Sequence, residues 1–170
     1  MYKRQFNDIG NADLDFYPEA LRAKIDELNA EIYPKLNNGV YRSGFATTQA
    51  AYEVAYKEVF EILDKLEARL ATRRYLMGDQ ITEADWRAFP TLVRFDPVYV
   101  SHFKTDRNRI ADLPNLFGYL RELYQWPGVA ETVNMEHIKH HYFASHININ
   151  PTGIVPLGPD FDLSIPHGRG

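Results

Sequence analysis

Apolar residues return at steps of three and four along most of this chain, the spacing of a helix that buries one face. Leu21, Ile25, Leu28 and Ile32 form the first such stripe. Pro18 suits its opening turn, where a missing N–H costs nothing. Asn37, Asn38 and Gly39 tolerate a left-handed cap, so the predicted helix stops around Leu36. Asn38-Gly39 also fits a hairpin turn, but its flanks do not alternate apolar and polar residues. The cap reading is preferred.

The second stripe is the clearest: Tyr52, Ala55, Tyr56, Val59, Phe60, Leu63, Leu66 and Leu70. Thr47 or Thr48 can cap its start, and Arg69, Arg73 and Arg74 suit its negative C-terminal end. At about 25 residues this helix would cross the whole domain. Thr82 and Asp85 then fit a capping box, with Ile81 and Trp86 as its hydrophobic staple. Pro90 should kink the helix that follows, and Pro97 should end or bend it again. Leu113, Leu116, Phe117, Leu120 and Leu123 predict another helix, and Val129, Val133 and Ile138 one more, with Trp126-Pro127-Gly128 as the turn between them.

Periodicity ends after His146. The stretch beyond holds four of the ten prolines and is expected to be extended or irregular. No segment reads as a strand. The pattern predicts an all-α helical bundle of five or more helices, divided as a lead-in (1–17), a helical domain (18–146) and an extended Pro/Gly-containing C-terminal tail (147–170).

Composition narrows the function. With 45% hydrophobic and 25% charged residues among 170, the chain has the balance of one globular domain that needs no metal or disulfide staple. A net charge of −4 makes it a poor partner for nucleic acid or an anionic membrane. No stretch approaches the roughly 18 uncharged apolar residues of a membrane span, and the N-terminus has no signal-peptide core. There is no cysteine, hence no disulfide, thiolate metal site or thiol nucleophile within the chain.

Motifs of a self-contained enzyme are missing: no P-loop, GxGxxG, HExxH or GxSxG occurs. His137, His140 and His141 fall at i, i+3 and i+4 of one predicted helix, with His146 just beyond. That spacing can share a metal, but a polar helix face is the ordinary reading and no metal is predicted. Asp85, in a first helical turn, reads as a structural cap together with Thr82. Tyrosine is abundant, 11 in all. Tyr41, Tyr99 and Tyr142 lie off the main stripes, and a phenol there suits a flat aromatic ligand bearing hydroxyls. Packing is the default for each.

Several segments resemble a known family. YLMGDQITEADW (75–86) looks like the helix-capping segment of glutathione transferase C-terminal domains. NNGVYRSGFATTQAAY (37–52), LVRFDPVYVSHFKTD (92–106), LPNLFGYLRELYQWPGVAETVN (113–134) and ETVNMEHIKHHYFASHININPTGIVPLGP (131–159) resemble the glutathionyl-hydroquinone reductases, the Xi class of glutathione transferases. The likeness runs from about Asp8 to the C-terminus, and MYKRQF (1–6) departs from it as a junction.

The resemblance implies a two-domain enzyme. A thioredoxin-like N-terminal domain would bind glutathione and carry the nucleophilic cysteine, while a helical domain such as this one would hold the hydroquinone. Glutathione would be the co-substrate, with no tightly bound cofactor. By family pattern Tyr41 and Tyr142 would orient the hydroquinone and donate protons to it, and Tyr99 would line the same pocket. His141 could assist, although a surface or capping role is more ordinary. The thioredoxin-like half is expected to lie outside this chain, which alone would be inactive. The whole enzyme is expected to be a cytoplasmic homodimer. Two other readings stay open: a non-catalytic transferase-like interaction module, and a conjugating transferase.

Overall fold

Three prolines, Pro34, Pro90 and Pro97, sit inside helical runs without ending them. Proline cannot donate to the carbonyl four residues back. Around Pro34 and Pro97 the backbone widens to bonds spanning five residues, while the helix Glu83–Arg94 runs on through Pro90. The first helical run comprises α1 (Arg22–Glu31), a π-helical stretch Ile32–Asn37 around Pro34, and α2 (Asn38–Gly44). The Asn38 N–H donates to the Tyr33 carbonyl. The second comprises α4 (Glu83–Arg94), a π-helical stretch Phe95–Tyr99 around Pro97, and a short α5 (Val100–His102), where the Val100 N–H donates to the Phe95 carbonyl. Between these runs lies α3 (Gln49–Leu70), and after them come α6 (Pro114–Tyr124) and α7 (Met135–Ser145). The computed structural model describes residues 14–160 and 162–169. Residues 1–13 of the expected lead-in, with the 1–6 junction, lie outside the described residues, as do 161 and 170 of the tail.

The helix predicted to stop at Leu36 therefore continues to Gly44. Gly39 is buried, and a Cβ there would lie 2.9 Å from Val59 Cγ2. Its small size serves the close approach of α2 to α3 rather than a left-handed cap. Tyr41 consequently lies within a helix, not in an interhelical segment. A second boundary differs too. Val129 and Val133 flank a 3-10 turn, Ala130–Thr132, and α7 starts only at Met135. The extended Asn134 accepts the His137 N–H at 2.9 Å and so begins a new helix.

The long α3 packs against α2 and α6, with Val59, Ile62, Leu63 and Leu66 buried in the shared core. Its 22 residues begin at the cap Thr48, whose hydroxyl accepts the Ala51 N–H. Asp85 fixes the start of α4. Its carboxylate accepts the N–H and hydroxyl of Thr82 at 2.7 and 2.9 Å, the Leu76 N–H at 2.9 Å and the Tyr119 hydroxyl at 2.7 Å. Burial pushes this carboxyl upward and the four donors oppose it. Among the described residues there is no strand, only an isolated Tyr75–Gly78 bridge, and no helix follows Ser145. The tail crosses α6, where the Gln125 amide donates to the Leu163 and Ile165 carbonyls, both at 2.7 Å.

Candidate functional site: a tyrosine cleft

Three phenols from distant parts of the chain meet at their oxygens. Tyr142 Oη lies 2.5 Å from Tyr41 Oη and 2.9 Å from Tyr99 Oη. Tyr41 rides on α2, Tyr99 closes the second π-helical stretch, and Tyr142 sits in α7. An extra residue in a helical turn re-phases the following face by about 100°. The π stretch at Ile32–Asn37 thus bears on where Tyr41 points.

Aromatic packing fixes the three rings. Fully buried Phe103 stacks on Tyr99, with ring centres 5.3 Å apart and planes 7° apart, and it also meets Tyr41 and Tyr142. Tyr99 and Tyr142 are buried, whereas Tyr41 is 38% exposed at the edge. These tyrosines line one cleft of about 530 Å³, within the range of small-molecule sites. Buried Thr91 and half-buried Asn37 and Arg94 also line it, with the exposed His137 and His141 on its solvent side.

Burial, then the Tyr41 hydrogen bond, pushes the Tyr142 hydroxyl up to about 12. Burial beside Tyr142 pushes Tyr99 higher still. A Tyr142 phenolate would be relieved by the Tyr99 O–H, so Tyr142 gives up its proton before Tyr99. Both are neutral at pH 7 and can donate to an oxygen that becomes negative.

A histidine pair lies alongside. His102 Nε2 and His146 Nδ1 are 3.1 Å apart, so one nitrogen donates and the other accepts. Burial, aided by His146 and Lys104, lowers His102 to about 4. His146 is lowered by burial and by His141. Tyr142 meets both rings edge-on. Sequence reasoning missed His102 and Arg94. The available signal for His102 was its place at i+3 from Tyr99, one helical turn along the same face.

The expected tyrosines converge, whereas the histidine cluster divides. His137 and His141 reach the cleft, His140 is exposed outside its lining, and His146 turns to His102. Among the described residues no group of three His, Cys, Asp or Glu side chains is placed to hold a metal ion.

Comparison with known proteins places the fold. A sequence profile for the glutathione S-transferase C-terminal domain matches residues 49–122. Glutathionyl-hydroquinone reductase YqjG of Escherichia coli is 58% identical over 169 residues, covering 99% of this chain and 52% of the relative. The glutathione-bound structure of YqjG superposes with a TM-score of 0.96 over 99% of this chain and 55% of that one. A Xi class transferase from Natrialba magadii gives the same TM-score at 47% identity, over 99% of this chain and 52% of its own. This chain has the fold of a glutathione transferase C-terminal helical domain. Among glutathione transferases its likeness is to the Xi class, which includes the glutathionyl-hydroquinone reductases. The chain spans about half the length of the relatives it matches.

Proposed function

We propose that this chain, residues 18–146 above all, is the hydroquinone-binding domain of a glutathionyl-hydroquinone reductase. The convergence of three phenol hydroxyls in one cleft carries the reading. A neighbouring thioredoxin-like domain supplies the glutathione site and the cysteine, a residue type this chain lacks. Residues 1–17 act as the lead-in and 147–170 as the covering tail. The assembled enzyme is a cytoplasmic homodimer.

In the reaction the cysteine thiolate attacks the sulfur that joins glutathione to the ring. A sulfur–sulfur bond forms, the carbon–sulfur bond breaks, and the electron pair passes to the ring carbon, which takes a proton. A second glutathione thiolate then attacks the mixed disulfide, giving oxidised glutathione and the free cysteine thiolate. Negative charge builds on the oxygen-substituted ring during the first step. Tyr41 and Tyr142 hold the ring hydroxyls, oppose that charge and deliver the proton, an effect worth about 10² to 10⁴-fold. Tyr99 holds Tyr142 in place from the buried side.

The test joins this chain to the part of the Escherichia coli relative that it does not span, and measures turnover of glutathionyl-menadiol. Tyr142→Phe and Tyr41→Phe should each lower turnover at least about tenfold. Unchanged kinetics in both variants would remove these residues from the mechanism.

A further inference from the structure

The cleft is lined by two chemically different sets of side chains. Tyr99 and Tyr142 line it from the buried side and Tyr41 from its edge, while half-buried Arg94 and the exposed His137 and His141 line it toward solvent. None of its lining residues is acidic. Arg94 closes α4 and is half-buried, with Nη1 tied to the Pro90 carbonyl at 2.7 Å. Among the described residues it has no carboxylate partner, a lack it shares with Arg22, Arg69, Arg73 and Arg121, but of these five it alone lines the cleft. One carbonyl uses one of its five N–H donors and none of its charge. The guanidinium nevertheless acts inward, since its positive charge favours a negative oxygen on Tyr142. A cation held in a ligand-sized cleft without a protein anion is matched by an anion that arrives with the ligand.

We infer that Arg94, with the imidazoles of His137 and His141, forms an anion subsite on the solvent side of the tyrosine cleft, selecting aromatic ligands that carry a carboxylate or sulfonate on the ring. The inference rests on the aromatic-ligand reading of the cleft and adds the class of substituent that the ligand bears. A hydroquinone seated on the phenols would direct its acidic group outward to the guanidinium, whose planar fork suits a carboxylate.

Anaerobic titration calorimetry on the chain, with four naphthalene probes, separates the two claims. The probes are 2-naphthoate, 2-naphthamide and the 1,4-dihydroxy form of each. The acids should bind at least about tenfold tighter than the amides, the increment of one charge-assisted contact. Arg94→Met should erase that preference while leaving the amides unaffected, and Arg94→Lys should restore part of it. Equal affinity of acids and amides, or a preference that survives Arg94→Met, overturns the subsite. An acid preference without any gain from the ring hydroxyls supports the subsite and counts against the hydroquinone reading. Binding of none of the four at millimolar concentration overturns both.

Discussion

Gly44 and Phe103 are in such close contact that a Cβ on Gly44 would lie 2.0 Å from Phe103 Cδ1 and 2.3 Å from Cγ. The ring cannot yield, because it is fully buried and stacked on Tyr99. Alanine would improve helix propensity by about 1 kcal/mol, but the overlap outweighs it at about 1–3 kcal/mol or more. Gly44→Ala should therefore destabilise the fold and disturb Tyr41, one turn earlier on α2. A chemical-denaturation curve at or above wild-type stability would show that the helix shifts freely.

Asp85 is a cap and a buried junction at once. Removing its carboxylate in Asp85→Ala strands two backbone N–H groups and the hydroxyls of Thr82 and Tyr119. The loss should reach about 3 kcal/mol or more in urea unfolding. Thr82→Ala should cost about 1 kcal/mol, within the usual range for a lost N-cap. Equal effects of the two substitutions would contradict the junction role.

The His102–His146 pair makes stability fall on acidification. His102 titrates near 4 when folded and near 6.5 when exposed, so its folded form resists protonation. Its contribution is intact above pH 6.5 and is lost as the pH falls from about 6.5 to about 4, at most about 3 kcal/mol in all. Asp85 and Asp96, whose carboxyls burial pushes up, act in the opposite sense as they take up protons. Comparing wild type with His102→Gln isolates the histidine. The variant's stability should fall less steeply over that window, and parallel profiles would refute the assignment.

The tail is fastened from its far end. Buried Glu122 accepts from Arg169 Nε at 3.0 Å, from Arg74 Nε at 2.8 Å and from the Tyr75 hydroxyl at 2.7 Å. Arg169 also donates to the Asn115 carbonyl at 3.0 Å. Arg169→Met should free residues 163–169 to exchange amide hydrogens faster by tenfold or more, at about 1–2 kcal/mol of global stability. Unchanged exchange there would mean that Gln125 and Arg121, which donate to the Leu163, Ile165 and His167 carbonyls, hold the tail without it.

Legibility in the sequence followed the range of the interactions. The stripes of α3 and α6 could be read because a helix face repeats within a few residues. Asn37-Asn38-Gly39 misled because it is a good local cap, while the deciding contact of Gly39 is with Val59, twenty positions on. Pro97 signals a break, yet a π-helical turn absorbs it, as another does at Pro34. Tyr41, Tyr99 and Tyr142 stood out only for lying off the stripes, and their roles came from resemblance. Their meeting spans 43 and 101 residues, a relation that no periodicity encodes. The His102–His146 contact, 44 residues apart, was invisible for the same reason.

A crystal structure of the chain grown anaerobically with menadiol tests the central claim most directly. The ring should occupy the cleft with an oxygen within about 2.5–3.2 Å of Tyr41 Oη or Tyr142 Oη, parting the contact those hydroxyls make with each other. A ring bound elsewhere, or a cleft left empty at saturating ligand with the three phenols still bonded together, would contradict it.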